Sequence, residues 1–266
     1  MVNSTVTERE YLLELVQTRI KWVSWTVLTP GGGYMELARP QVDVGIFTHQ
    51  LEAMQAFYGE KLGLQFESVL PVGGGFRQYR YLCNGSVIKL MHSREPLRPR
   101  RPGGYETLMI ATPKVTEVEA LPDPDDNAIE LVPPGRDDVT QMEIRLGVKD
   151  VDAFGQFYTS AFGAVDIGQN RYKIGETIFG VYHEHEIHPP KMTPFASPLE
   201  VVNAMAELGI QYVTLQVRNC AAAFNALKAA GATVAVEPST FGTVARISFV
   251  RDPDGNFIEL SQRPPA

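Results

Sequence analysis

Apolar positions along the chain follow two periods, which predict strands and helices in a repeated order. Three short segments, 42–48, 142–148 and 211–217, mix β-branched, apolar and small residues and predict strands. Each is followed by apolar residues at spacings of three and four, which predict an amphipathic helix. A glycine then stands where a left-handed helix C-cap is expected, and further short strands follow. The recurring unit is therefore β-α-β-β-β.

Two sequence segments recur inside the chain. Segment 56–64 recurs as 156–164 and keeps a Phe-Tyr pair with a glycine five positions after the tyrosine. Segment 123–131 recurs as 252–260 and is identical at seven of nine positions. Chance is a poor explanation of the second match, so the chain contains repeated units.

The second repeat contains a turn followed by a strand. Residues 252–255, Asp-Pro-Asp-Gly, have the composition of a tight turn, and Asp126 replaces the glycine in the earlier copy. Glu130 and Glu259 then lie on the outgoing strand of a hairpin, on the face opposite their aliphatic neighbours. The two glutamates occupy equivalent positions.

These segments resemble the vicinal oxygen chelate superfamily, which includes glyoxalase I, bleomycin-resistance proteins, methylmalonyl-CoA epimerase and extradiol dioxygenases. The resemblance is carried by residues 44–46, 56–64 and 251–260 and spans about residues 40 to 263. It implies an α+β fold of paired βαβββ modules. The four implied modules are about 40–93, 104–134, 140–185 and 210–262, of which the second is truncated.

The implied domain organisation has three parts. Residues 1–39 form an N-terminal helical extension, 40–135 a first vicinal-oxygen-chelate-like domain and 138–264 a second one. In the superfamily, two modules curl into a cup that holds a divalent metal. We expect the first two modules to form an N-terminal cup and the last two a C-terminal cup.

The resemblance also implies which positions would supply metal ligands, and none of them is a histidine. Imidazole suits Fe(II), Zn and Ni, whereas carboxylates favour Mg, Mn or Ca. No histidine-ligated metal is therefore expected. A hard cation held by Asp43, Glu106 and Glu130 is the fallback, although a network of Lys89 with carboxylates fits those residues at least as well. The positions are Asp43, Glu106, Glu143 and Tyr212 on first strands and Lys89, Glu130, Phe179 and Glu259 on last strands.

Glu143, Tyr212 and Glu259 are the candidate catalytic residues of the C-terminal cup. Carboxylates enclosed together should have raised pKa values, so one could act as base and another as acid, while Tyr212 donates to a developing oxyanion. The alternative is a structural Glu259 paired with an arginine and a core Tyr212. The candidate substrate-binding residues are Arg145, Phe179, His183 and Arg246.

Amino-acid composition and apolar patterning indicate which classes of partner the protein has. The 266 residues carry 24 Lys and Arg against 31 Asp and Glu, a net charge of -7, so nucleic acid is not an expected partner. No apolar run approaches the roughly 20 residues of a membrane helix, and we expect a cytoplasmic protein. An apolar helical face at 7–20 would dock on the body or on a second subunit, as in a homodimer. Segment 186–209, with Met192 and Phe195, is either a lid over the C-terminal cup or a connector.

Three functional hypotheses follow. The first is an enzyme that acts on a small oxygenated organic molecule by carboxylate and tyrosine acid-base chemistry, as an isomerase, epimerase or lyase without a histidine-ligated metal. The second is a non-catalytic protein that sequesters a small molecule. A metal-dependent glyoxalase or extradiol dioxygenase is disfavoured, because the set of two histidines and one carboxylate is missing. The substrate, the reaction and the active cup stay open.

Overall fold

The computed structural model describes residues 25–28, 34–187 and 192–264. The predicted helix at 7–20 lies outside the described residues. The described part of the predicted helical extension forms strands instead. They make a two-stranded antiparallel ribbon of β1 (Trp25–Leu28) and β2 (Tyr34–Leu37).

The first two modules follow the ribbon. The first module consists of β3 (Asp43–Thr48), α1 (Leu51–Gln55) continued by a π-helix (Ala56–Lys61), β4 (Gln65–Gly73), β5 (Phe76–Cys83) and β6 (Ser86–Ser93). The second consists of β7 (Gly104–Ala111), β8 (Glu119–Pro122) and β9 (Ala128–Val132). The described residues between β7 and β8 form no helix, so the predicted truncation of this module is present.

The last two modules are complete. The third consists of β10 (Met142–Val148), α2 (Val151–Phe162), β11 (Val165–Asp166), β12 (Arg171–Ile174) and β13 (Thr177–His183). A connecting helix, α3 (Pro198–Ala204), follows. The fourth module consists of β14 (Gly209–Gln216), α4 (Cys220–Ala229), β15 (Thr233–Phe241), β16 (Ala245–Arg251) and β17 (Phe257–Gln262). The predicted α+β fold of βαβββ modules is confirmed.

The modules pair in an order that the sequence did not predict. The eight-stranded sheet has the order β15-β16-β17-β14-β3-β6-β5-β4, so it joins the fourth module to the first. The seven-stranded sheet, β11-β12-β13-β10-β7-β9-β8, joins the third to the second. The expected pairing of first with second and third with fourth is therefore wrong, because β3 pairs antiparallel with β14 and β7 with β10. The domain boundaries at 40–135 and 138–264 stay a prediction.

The two sequence repeats meet on the helical side of the sheets. Tyr58 in the π-helix donates its hydroxyl to Asp123 of the second module at 2.9 Å. Tyr158 in α2 makes the equivalent bond to Asp252 of the fourth module at 3.2 Å. All four residues are buried, and burial raises the pKa of both tyrosines well above the usual value. The repeats thus tie consecutive modules together, while the sheets join non-consecutive ones.

Each turn aspartate also organises its own hairpin. Asp252 accepts hydrogen bonds from the backbone N–H groups of Asp254 and Asn256, at 3.1 and 2.9 Å, and from the side chain of Asn256 at 2.9 Å. A side chain that satisfies its own turn in this way holds the backbone in one geometry. The most specific part of the repeated signature is therefore structural.

The pKa of Asp252 leads to a prediction about pH and stability. Burial raises this pKa to about 7, against the opposing effect of the hydrogen bonds from Asn256. An unfolded aspartate titrates near about 3.9, so the stability that this group contributes is complete below that pH and is lost as the pH rises to about 7. Between those values, Asp252→Asn should gain up to about 1.4 kcal/mol per pH unit relative to the parent protein.

Urea unfolding of the parent protein and of Asp252→Asn at pH 5, 6, 7 and 8 measures this difference. Circular dichroism of the variant provides the control that the fold is retained. A free-energy difference that stays constant from pH 5 to pH 7 would contradict the raised pKa.

Candidate functional site

A cavity lies inside the cup of the eight-stranded sheet, under helix α3. It has about 70 Å³ of space for water-sized molecules, which is room for roughly five waters. Most of its wall is apolar, with Leu70, Val72, Met91, Ile247 and Phe249 among the lining residues. The polar side chains that line it are Gln78, Arg80, Lys89, Tyr212, Gln216, Glu259, Ser261 and Arg263.

Strand alternation decides which side chains face the cavity. On β3, Val44 and Ile46 belong to the core that contains the helices, whereas Phe47 packs in the cluster that lines the cup. Gly45 faces the cup as well, because a Cβ at that position would overlap the ring of Tyr212. The period of two thus divides each strand between a structural face and a site face.

A buried ion pair occupies the centre of this cup. Lys89 Nζ lies 2.8 Å from Glu259 Oε2 and 2.6 Å from the hydroxyl oxygen of Thr214. The Thr214 hydroxyl is also 2.6 Å from the same Glu259 oxygen. Lys89 and Glu259 come from the first and fourth modules and are 3% and 8% exposed. The lysine-carboxylate network predicted for Lys89 therefore forms, but its carboxylate is Glu259 and not Asp43, Glu106 or Glu130.

Tyr212 presents a phenol to the cavity. Its hydroxyl oxygen accepts a hydrogen bond from Gln78 Nε2 at 3.3 Å, and its ring lies 5.3 Å from Lys89 Nζ. Burial, and then the negative charge of Glu259, raise the pKa of Tyr212 well above its usual value. The phenol stays protonated at neutral pH and can donate its proton to a bound oxygen atom.

The donor set of this cup does not fit a divalent metal ion. The Lys89 ammonium, which has no lone pair to offer, occupies one of the family's ligand positions. Asp43 is occupied by an ion pair with Arg39 and by hydrogen bonds from the Val87 N–H at 2.8 Å and Gln216 Nε2 at 3.0 Å. Across residues 25–28, 34–187 and 192–264, no three His, Cys, Asp or Glu side chains are grouped as metal ligands.

Glu143, the third predicted catalytic residue, lies in the other cup. It accepts hydrogen bonds from Arg171, at 2.6 Å from Nη2 and 3.1 Å from Nε, and from Arg145 Nε at 3.2 Å. The prediction that one cup holds Glu143 together with Tyr212 and Glu259 is wrong, because β10 belongs to the seven-stranded sheet. Glu143 is thus paired with two arginines at the wall of another cavity, in the seven-stranded sheet.

The fallback metal ligands are also divided between the sheets. Asp43 lies on β3 of the eight-stranded sheet, whereas Glu106 and Glu130 lie on strands of the seven-stranded sheet. Glu106 accepts a hydrogen bond from the Tyr182 hydroxyl, and Glu130 lies 3.6 Å from Arg145 Nη1. These three carboxylates do not form one site.

The remaining predicted binding residues do not line the cavity. Phe179 is buried in the core that contains the helices, with its ring centroid 5.6 Å from that of Tyr158. The predicted register of β13 is wrong by one residue. Gly180, and not Phe179, is the residue next to the Glu143 side chain, so Phe179 points to the opposite face of the strand. Arg246 is exposed on β16. His183 is exposed at the end of β13, where Nδ1 contacts the Lys149 carbonyl at 2.9 Å.

Four polar residues of this site were not among the predicted ones, namely Gln78, Arg80, Thr214 and Gln216. Thr214 and Gln216 follow Tyr212 at intervals of two, so they share its face of β14, and this signal was available in the sequence. Gln78 and Arg80 lie on β5, a strand to which no ligand position was assigned. Their role depends on the pairing of the first module with the fourth.

Helix α3 covers the cavity. Leu199, Val202 and Met205 contribute to the cavity wall, and Ser197 caps the helix by accepting from the Glu200 N–H at 3.3 Å. The predicted lid was placed over a cup of the third and fourth modules, whereas α3 covers the cup of the first and fourth modules. Phe195 packs against the cup cluster, whereas Met192 is exposed and does not line the cavity.

Two curled sheets of βαβββ modules, with a polar cluster inside a cup, define the class of the protein. The model of the Glyoxalase/Bleomycin resistance protein/Dioxygenase superfamily matches residues 41–131 and 140–260. The chain belongs to this superfamily, which confirms the resemblance found in the sequence. A search of curated proteins found no match.

Solved structures show the same fold at low sequence identity. Glyoxalase I from Zea mays is 14% identical, with a TM-score of 0.59 over 84% of this chain and 92% of that chain. A "putative dioxygenase" from Bacillus subtilis subsp. subtilis str. 168 is 12% identical, with a TM-score of 0.58 over 84% of this chain and 85% of that one. No helix within the described residues is long and apolar enough to span a membrane.

Proposed function

We propose that the protein binds a small oxygenated organic molecule in the cup of the eight-stranded sheet and acts on it by acid-base chemistry. The observation that supports this most directly is the buried Lys89–Glu259 pair beside the Tyr212 phenol in a covered cavity. An ammonium, a carboxylate and a phenol together supply positive charge, a base and a hydrogen-bond donor. No divalent metal is part of the proposed reaction, because the donor set does not fit one.

The reaction class is proton transfer next to a carbonyl group. The carbonyl oxygen of the ligand accepts a hydrogen bond from Tyr212, and the Glu259 carboxylate removes a proton from the neighbouring carbon. The electron pair of that C–H bond forms a carbon–carbon double bond, and the π pair of the carbonyl group moves onto its oxygen, which gives an enolate. Lys89 and Tyr212 stabilise its charge. Return of the proton to another face or atom gives epimerisation or isomerisation, and loss of a leaving group gives elimination.

The apolar wall supports this chemistry. A low-dielectric, covered site strengthens the attraction between the Lys89 ammonium and a developing oxyanion. The cavity volume of about 70 Å³ favours a small ligand.

Deuterium exchange tests the proposed proton transfer. Small ketones, aldehydes and oxo acids are incubated with the protein in deuterium oxide, and NMR follows loss of the C–H signal next to the carbonyl. Tyr212→Phe should weaken binding about tenfold, the effect of one hydrogen bond, and should slow exchange. Glu259→Gln should abolish catalysed exchange.

Glu130→Gln is the matched control, because Glu130 is the repeat counterpart of Glu259 and lies in the other cup. It should leave binding and exchange unchanged. Exchange that persists in Glu259→Gln with the fold retained would remove the proposed base.

A non-catalytic binding protein is the second candidate. Glu259 Oε2 is already engaged by Lys89 and Thr214, which favours a carboxylate that shapes the cavity rather than one that reacts. Ligands that bind in the cavity and show no exchange would select this candidate. Stoichiometric Fe or Zn in the purified protein would instead favour the metal-dependent alternative. The cytoplasmic location and the homodimer remain predictions from the sequence.

A further inference from the structure

Arg80 is a buried cation at the cavity wall with one nitrogen left unpaired. The residue is 3% exposed. Its Nε donates to Glu67 Oε2 at 2.5 Å, and its Nη1 donates to Gln78 Oε1 at 2.9 Å. Nη2 is buried and has no hydrogen-bond partner. A buried charged donor without a partner costs free energy, so such a group calls for an explanation.

The charged side chains that line the cavity have an excess of positive charge. Arg80 and Lys89 are buried there and Arg263 is exposed at the wall, while Glu259 is the single carboxylate of the lining. Glu259 is paired with Lys89, so Arg80 is the buried cation that no lining carboxylate neutralises. Its partner Glu67 is outside the lining and is 31% exposed, so solvent weakens that pair.

The positions of Arg80 and Tyr212 are linked through one side chain. Because arginine has only donors, the Gln78 atom at Arg80 is the oxygen, and the Gln78 amide nitrogen therefore faces the Tyr212 hydroxyl. Arg80 and Tyr212 thus lie on either side of a single amide group. Both residues line the cavity.

We propose that the ligand of this cavity is a small carboxylic acid with a carbonyl or hydroxyl oxygen, and that Arg80 binds its carboxylate while Tyr212 binds the other oxygen. This inference rests on the proposed function of the cup and names the substrate class. The carboxylate supplies the missing partner of Nη2.

A carboxylate fits the site better than a phosphate. Arg80 has one unpaired nitrogen, since Nε and Nη1 are already engaged, so it offers little to a group with several charged oxygens. The small cavity favours the smaller group.

Paired ligands test this inference. Pyruvate, acetoacetate and lactate are each compared with the corresponding neutral amide by isothermal titration calorimetry, with inorganic phosphate as a further probe. For the parent protein, the carboxylate of a pair should bind about tenfold more tightly or better than its amide. Arg80→Gln should remove this preference, whereas Arg246→Gln, on an exposed site of the same sheet, should keep it.

The ratio of the two affinities separates binding from stability, because a merely structural Arg80 would change both affinities alike. Three results would overturn the proposal of a carboxylic-acid ligand. They are equal binding of amide and carboxylate, an unchanged affinity ratio in Arg80→Gln, and preferred binding of phosphate. The parent protein answers the first and third points even if Arg80→Gln does not fold.

The two proposals can fail separately. Amides that bind as well as acids and lose affinity in Tyr212→Phe would leave the proposed function intact and reject only the carboxylate. If no acid in the panel binds, the proposal of a carboxylic-acid ligand is also rejected. If acids bind preferentially but no deuterium exchange occurs, only the proposed catalytic step is rejected.

Discussion

Replacement of Lys89 by methionine is expected to lower the free energy of unfolding by about 3 to 5 kcal/mol. The change leaves the Glu259 carboxylate buried without its ammonium partner, and removal of one member of a buried ion pair has a cost of this size. The Thr214 hydroxyl, at 2.6 Å, compensates only in part because it is uncharged. Urea unfolding at pH 7 measures the loss.

A second substitution, which removes the charge of Glu259 as well, should restore most of the lost stability. In the double variant Lys89→Met with Glu259→Gln, both charges are absent, and the stability should return to within about 1 to 2 kcal/mol of the parent protein. Lys228→Met is the control, since its pair with Glu237 is exposed and 4.0 Å long, and should cost less than about 1 kcal/mol. A loss for Lys89→Met no larger than that of the control would contradict a buried, coupled pair.

Gly45→Ala is expected to disrupt the site by displacing the Tyr212 ring. The added Cβ would overlap the Cε1, Cζ and Cδ1 atoms of the Tyr212 ring, and the ring would have to leave its place between β3 and the cavity. Overpacking of a filled core costs about 1 to 3 kcal/mol. Because the displaced ring would enter a cavity of about 70 Å³, ligand binding should fall below detection.

A second substitution separates the overlap from other effects of the glycine. Tyr212→Leu should relieve the strain of Gly45→Ala, so the double variant should be more stable than the sum of the two single changes. Tyr212→Phe should not, because the overlap is with ring carbons and not with the hydroxyl. Strictly additive losses in the leucine combination would show that the ring does not need Gly45.

The repeats let the sequence predict more of the fold than of the site. The Phe-Tyr segments and the Asp-Pro-Asp segments mark the modules, and local turn chemistry explains them. The tyrosines and aspartates of the repeats also bond to one another, as Tyr58 does to Asp123. The sequence was sufficient to predict three features: the βαβββ class, the truncated second module and the absence of histidine at the ligand positions.

The composition of the site could not be predicted to the same extent. Tyr212 and Glu259 do lie in one cavity, but Glu143 does not join them and Lys89 does. Phe179 was assigned to the cup by a register that is one residue off, which moves a side chain to the opposite face of a strand. Arg80 had no distinguishing local pattern, because its importance comes from the residues around it.

The sequence alone determined the modules, since strands, helices and turns depend on neighbours that are close along the chain. Tertiary structure alone decided which modules share a sheet, and hence that Lys89 of the first module meets Glu259 of the last. The physical reason is that β3 could pair with any equivalent first strand, so backbone hydrogen bonding does not distinguish the partners. The choice is made by side chains buried between distant segments, such as the Tyr212 ring over Gly45.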